Sequence, residues 1–294
     1  MEHLPERAPA YATAEPALDR RAELSEFLRN RRARLKPDDV GLPDFGRHRR
    51  VPGLRREELA QLAGVSVAYY TRLEQGNGRN VSVEVLDSIA RALRLSDAEY
   101  SHLTRLAKPR SHKKRRGGTC PDPQMRPALQ RFLDSMEGVP AYVAGRRSDV
   151  LGWNALAAAL FTDWGALAPR ERNWARWVFL EPRSREVFVE WEGKATDVVS
   201  SLRMDSGCYP DDPLMAALVG ELALKSADFR RLWAAHDVKE KGHGVKRFRH
   251  PRVGELSLAY EVFRPVDDPQ LLLITYHPEP GSPSEEALRV LAGM

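Results

Sequence analysis

"LRREELAQLAGVSVAYYTRLEQG", residues 54–76, holds two short helical patterns separated only by a turn centred on Gly64. Glycine takes the positive φ of such a turn at little steric cost. Ala60 is small where the two helices approach most closely. Leu59, Ala63, Val65, Tyr70 and Leu73 recur at the spacing that buries one side of each helix. Ser66 is placed to cap the second helix. Val67, Ala68, Tyr69, Thr71 and Arg72 are left pointing away. That face fits the major groove of duplex DNA, which is wide enough to admit one helix. The alternative is a helical hairpin that only packs.

Charge separates these alternatives. Residues 21–116 carry 22 Lys/Arg against 12 Asp/Glu, a net of +10, in a chain whose net is +5. Residues 117–294 carry 22 against 25, a net of −3. The surplus therefore sits with the helical pair, as expected for a polyanion partner. Without the motif, a solvated basic face would explain it equally well.

The 294 residues suffice for two domains, and 42% hydrophobic content suffices for their cores. No segment approaches the roughly 20 apolar residues needed to span a bilayer. Residues 1–20 lack the apolar stretch of a signal peptide and read as a disordered arm, which points to a cytoplasmic protein. Cys120 and Cys208 stand far apart and outside any Cys-x-x-Cys spacing, which argues against a disulfide framework or a zinc site.

Around the opening stretch, residues 22–35 place Leu24, Phe27, Leu28 and Leu35 at helical spacing. Val85, Leu86, Ile89 and Leu93 mark another helix, and Ser96 with Glu99 is a capping box that starts a fifth. A loop carrying Arg47, Arg49 and Arg50 is either solvated or in contact with phosphates. Residues 108–124, with six basic side chains among Pro and Gly, read as a linker. Residues 125–294 change character. "AYVAGRRSDVLGWN" predicts two strands about a tight turn, followed by helices over 154–162, 169–179, 184–204, 213–225 and 227–236. Strands return at "VKRFRH", "ELSLAYEVF" and "LLLITYHP", and Ser282-Pro283 starts a last helix. The pattern is that of an α+β domain on an antiparallel sheet.

The five-helix layout, with "LAQLAGVS" and "RLEQG", resembles the lambda-repressor/Cro-like, or XRE-type, helix-turn-helix domain over residues 21–107. Tyr70 departs from it, standing where the broader pattern has Ile or Val. The resemblance implies double-stranded DNA as partner. It places Val67, Ala68 and Arg72 on the base-reading face, with Tyr69 and Thr71 beside them. Arg56, Ser66, Arg79 and Asn80 match phosphate-contacting positions, which set register without reading sequence.

The second half carries little catalytic chemistry. It has no G-x-S-x-G, no P-loop and no H-E-x-x-H. "GHGVKR" lacks the third glycine of a phosphate fingerprint, and nothing completes a metal set around His243 and His250. Neither a cofactor, a metal nor catalytic residues are expected. Aromatics are abundant instead: Trp153, Phe161, Trp164, Trp174, Trp177, Phe179, Phe188, Trp191 and Trp233. They form either an ordinary core or the walls of an apolar ligand cavity.

The blocks "PAYVAGRRSDVLGWNALAAALF", "RNWARWVFLEP", "YPDDPLMAALVGEL", "FRRLWAAHDV", "KRFRHPRVGELSLAYE" and "EPGSPSEEALRVL" resemble, in that order, the MmyB-like family of actinobacterial regulators. In that family an XRE-type domain precedes a PAS-like ligand-binding domain. The resemblance implies a bacterial transcription regulator controlled by a small hydrophobic, fatty-acid-like effector; a homodimer on a roughly palindromic operator is the expected mechanism. Asn154, His236, Arg247, His250 and Tyr260 are its polar pocket candidates, Arg247 or a neighbouring base meeting a carboxylate. Each has a plainer role open to it: Asn154 as a cap, His236 at a helix end, Arg247 on a strand surface. The C-terminal domain is otherwise an enzyme or a protein-interaction module.

Overall fold

The computed structural model describes residues 19–42, 53–78, 81–108, 124–209, 212–238 and 242–294. Most of the expected arm and linker lies outside the described residues, as do Cys120, Arg47, Arg49, Arg50, Arg79 and Asn80.

Helices α1 (Arg20–Arg34), α2 (Arg56–Leu62), α3 (Val67–Glu74), α4 (Val83–Ala92) and α5 (Asp97–Ala107) build the N-terminal domain. Short polar residues stop the chain from fraying at the helix starts. The hydroxyls of Ser66, Ser82 and Ser96 accept the N–H of Tyr69, Val85 and Glu99. The apolar face of each helix then meets the others. Phe27, Leu28, Leu59, Ala60, Tyr70, Leu86, Ile89 and Leu103 are fully buried in one core. Tyr70 fills it where a smaller residue was the wider pattern.

The C-terminal domain is a five-stranded antiparallel sheet in the order β2-β1-β5-β4-β3, with helices on both faces. Its strands are β1 (Ala141–Ala144), β2 (Val150–Trp153), β3 (His243–His250), β4 (Gly254–Phe263) and β5 (Leu272–Pro278). Between β2 and β3 run α7 (Ala155–Leu160), α8 (Trp174–Leu180), α9 (Arg183–Val187), α10 (Trp191–Cys208), α11 (Pro213–Lys225) and α12 (Ala227–Ala234). Helix α13 (Pro283–Ala292) closes the domain. Helix α6 (Pro127–Asp134), which the sequence reading missed, covers the other side of the sheet. Strand alternation divides the residues: Ala141 and Val143 pack with Leu133 of α6, while Tyr142, Ile274 and Tyr276 face the helical layer.

Two helix expectations need correction. The helix expected from 169 begins at Trp174, because Asn173 caps it: its side-chain oxygen accepts the N–H of Ala175 at 2.9 Å and of Arg176 at 3.1 Å. The helix expected over 184–204 breaks after Val187. There Phe188 bridges to Phe248 and the Val189 N–H bonds the Arg247 carbonyl at 3.2 Å, so the chain leaves the helix to protect the sheet edge.

The aromatic residues are core. Ring centroids of Trp174 lie 5.1 Å from Phe161, 5.2 Å from Trp164 and 5.1 Å from Trp177, mostly edge to face. That is the geometry ring quadrupoles prefer. Trp153, Phe179 and Trp233 pack around this cluster, partly buried.

Candidate DNA-reading face and effector crevice

The turn between α2 and α3 follows from Gly64, at φ +67°, and from the Val65 N–H reaching back to the Ala60 carbonyl at 3.0 Å. It brings the predicted base-reading residues together. Val67 is 41% exposed, Ala68 and Arg72 are exposed, and Tyr69 and Thr71 are half-buried beside them. The Arg72 guanidinium sits 5.7 Å from the Tyr69 ring centroid, a cation–π contact that restrains it. Behind this face, buried Glu74 accepts from Arg32 Nε at 2.8 Å and Nη2 at 3.0 Å, and from Arg56 Nε at 2.9 Å. Burial opposes ionisation of Glu74, yet the two arginines outweigh it and hold its carboxyl below the usual range. Arg56, expected at a phosphate, is thus committed to locking α2 onto α3, although its side chain stays 44% exposed. Ser66 is exposed and spends its hydroxyl on the helix cap.

The five pocket candidates do not converge. Asn154 is a structural cap: its oxygen accepts the N–H of Ala157 (2.9 Å) and Ala141 (3.1 Å), and its amide donates to the carbonyls of Val139 (2.7 Å) and Met136 (3.3 Å). No capacity is left for a ligand. Arg247 lies on the exposed surface, bonded to Glu190 at 2.5 Å. His250 is buried, its Nδ1 accepting from Arg252 N–H at 3.3 Å, which leaves Nε2 to donate to the Ala159 carbonyl at 3.1 Å. Burial holds it neutral by lowering its pKa. His236 lies between the two domains.

Of the five, Tyr260 borders a crevice among the described residues. The crevice opens between the sheet and α10 and is lined also by Tyr142, Lys194, Asp197, Lys246, Val262, Ile274 and Tyr276. It measures about 300 Å³ with its mouth included, and its closed part has room for about one water molecule. Lys194 is only 4% exposed, and its ammonium lies 4.6 Å from the Trp174 ring centroid and 5.3 Å from that of Phe188. Lys246 pairs with Asp197 at 2.7 Å. Burial keeps the phenols of Tyr142 and Tyr276 protonated by raising their pKa values. Two cations and one carboxylate therefore meet hydroxyl donors over an apolar floor, which suits the polar end of an otherwise apolar molecule. The sequence did carry a signal for this site: Tyr260 and Val262 on β4 and Ile274 and Tyr276 on β5 alternate, and Lys194 and Asp197 share a helix face.

His236 belongs to the junction of the two domains. Arg203 of α10 is wholly buried; it donates to the Glu23 carboxylate of α1 and to the Trp233 carbonyl, and lies 2.8 Å from His236 Nδ1. Its guanidinium stacks 4.1 Å from the Trp233 ring centroid. His236 Nε2 reaches Glu26 at 2.7 Å. Buried Arg31 of α1 bonds the His236 carbonyl at 2.5 Å and pairs with Asp237 at 3.3 Å and Glu99 at 3.2 Å. Glu26 would favour a proton on His236, but burial and the Arg203 charge win and lower its pKa to about 3. Met204 of α10 and Val238 complete the apolar core of the N-terminal domain.

The model of the MmyB-like transcription regulator ligand binding domain matches residues 125–291, and that of a helix-turn-helix domain matches residues 23–103. No curated protein matches the chain.

Proposed function

Because this chain belongs to the family of MmyB-like transcription regulators, we propose that it reads a two-fold symmetric operator as a cytoplasmic homodimer, under the control of a small hydrophobic, fatty-acid-like effector. It is a helix-turn-helix transcription regulator with a ligand-binding domain. Both matched domains bind rather than catalyse, so we read it as a regulator and not an enzyme. No helix among the described residues is long and apolar enough to cross a membrane.

The observation that carries the DNA reading is the exposed face of α3, braced from behind by the Arg32–Glu74–Arg56 lock around one buried carboxylate within the basic segment. A reading helix must hold its angle while its outer side chains find base edges, and this lock supplies that rigidity. In a homodimer two such helices would enter major grooves about one turn apart. Parts of α1 and α5 are buried against the C-terminal domain of the same chain, so the dimer contact falls on other surfaces. In the crevice, Lys194 and Lys246 would meet the effector's carboxylate; its apolar body is larger than the closed part and would have to part α10 from the sheet to lie along Tyr142, Tyr260, Val262, Ile274 and Tyr276.

Selection of random duplex DNA by the full-length protein tests this reading. Enrichment of a two-fold symmetric site is the expected result, and no enrichment, with or without added decanoate, would overturn it. A second reading, a C-terminal protein-interaction module, is favoured by the close packing of the ring cluster. Decanoate that raises the melting temperature of the native protein but not of Lys194→Met decides for the effector.

A further inference from the structure

Helix α10 runs without interruption from Trp191 to Cys208 and serves two places at once. Its first half puts Lys194 and Asp197 in the crevice. Its second half puts Arg203, Met204 and Gly207 against the DNA-binding domain. At 1.5 Å of rise per residue, Lys194 and Arg203 are only ~14 Å apart along the axis. No proline interrupts the helix. A displacement at the crevice end therefore moves the junction end as one body.

The junction is built to register such a displacement. A fully buried guanidinium is tolerated only while its partners stay in place. The partners of Arg203 come from two directions: Glu23 from the DNA-binding domain, and His236 and the Trp233 carbonyl from the end of α12. His236 itself holds a left-handed backbone, φ +54°, and its carbonyl is bonded by Arg31 of α1. Packing next to the clasp is equally tight. A Cβ on Gly207 would lie 2.9 Å from Cε1 of His102, a ring of α5 wedged edge-on against Phe27 of α1 at 5.2 Å between centroids. Fully buried rings have little freedom to absorb a shift, so α1 and α5 must follow α10.

We propose that Arg203 is the positioning residue that couples the effector crevice to the DNA-binding domain, its clasp on Glu23 making α1 follow α10 when the crevice fills. This rests on the crevice being the effector site.

The test uses the full-length protein and mimics occupancy by substitution, so that it does not depend on the identity of the effector. Val262→Trp fills the crevice. Hydrogen exchange of the α1 amides and affinity for the selected operator are measured for it with Arg203 intact, and again with Arg203→Met. The expected result is a change of about fivefold or more in either readout when Arg203 is present, and less than twofold when it is methionine. Equal responses in the two backgrounds, or none in either, would overturn the proposal. Lost stability alone would not produce that pattern, because each comparison is made within one background. If Arg203→Met does not fold, Glu23→Met removes the same clasp from the other side, leaving no acceptor for Arg203 there, and is read the same way. Failure of decanoate to bind would count against the effector reading, while the exchange and affinity cycle still decides the coupling.

Discussion

Arg32 and Glu74 form a buried two-point ion pair between α1 and α3, at 2.8 and 3.0 Å, and Arg56 of α2 completes it at 2.9 Å. Three helices of the DNA-binding domain thus share one carboxylate. Removing one side of such a pair strands a charge in a low-dielectric interior.

Arg32→Met is accordingly expected to cost about 3–5 kcal/mol of stability in urea unfolding. The pair also sets an acid limit. The Glu74 carboxyl is held below its ordinary value of 4.5, so its contribution is complete above that pH and is lost as pH falls through the folded-state value. Glu74→Gln should therefore be less stable than the native protein at neutral pH, with the gap narrowing below pH 4.5. A constant gap would remove Glu74 from the acid response.

His102 and His236 act at higher pH. Burial lowers each to about 3, with the Arg203 charge adding to it, whereas the unfolded chain takes up these protons near 6.5. Stability is then full above pH 6.5 and falls as pH drops from there toward 3. Between pH 7 and 5 the loss should be roughly 2 kcal/mol per histidine. His236→Gln, whose amide oxygen can still accept from Arg203, should show about half the slope. An unchanged slope would mean that His236 is already charged in the fold.

Gly207→Ala should cost about 1–3 kcal/mol, since the new methyl meets the His102 ring at 2.9 Å in a site where the ring has no room to yield. Thermal unfolding of the full chain measures it. A neutral result would show that the packing of α10 on α5 is looser than its geometry.

Asn154→Ala should destabilise by about 2–4 kcal/mol, because it leaves the buried N–H of Ala141 and the first turn of α7 without their acceptor. Affinity of the remaining folded protein for decanoate should be unchanged. A selective loss of decanoate binding, with stability intact, would return Asn154 to the ligand site.

Arg72→Ala should relax the selected sequence at one position in each half-site, at a cost of about 1–3 kcal/mol in discrimination. Arg79→Ala should instead weaken specific and random duplexes alike and flatten the dependence on salt. Identical behaviour of the two variants would mean that α3 does not read bases through Arg72.

What could be read from residue order was whatever depends on near neighbours. The turn at Gly64, the exposed stripe from Val67 to Arg72, the cap at Ser96 and the start of α11 after Asp212 all follow from local backbone chemistry, and all are present. The strands at "ELSLAYEVF" and "LLLITYHP" belong to the same class. Of the two misplaced helices, one start was set by a nearer cap, Asn173, and the other was broken where a distant partner overrides a local preference. Periodicity carries a helix across 184–204, but the free edge of β3 draws Phe188 and Val189 out of it. Polar residues were still harder to place. Asn154, His236 and Arg247 have the same chemistry whether they cap, clasp, or bind, and the identity of the partner alone decides among these roles. Arg203 and Glu23, 180 positions apart, look in sequence like two ordinary surface charges. Only the packing of α10 against the N-terminal domain takes Arg203 wholly out of water and most of the Glu23 side chain with it, and exclusion of water is what turns an ion pair into a constraint.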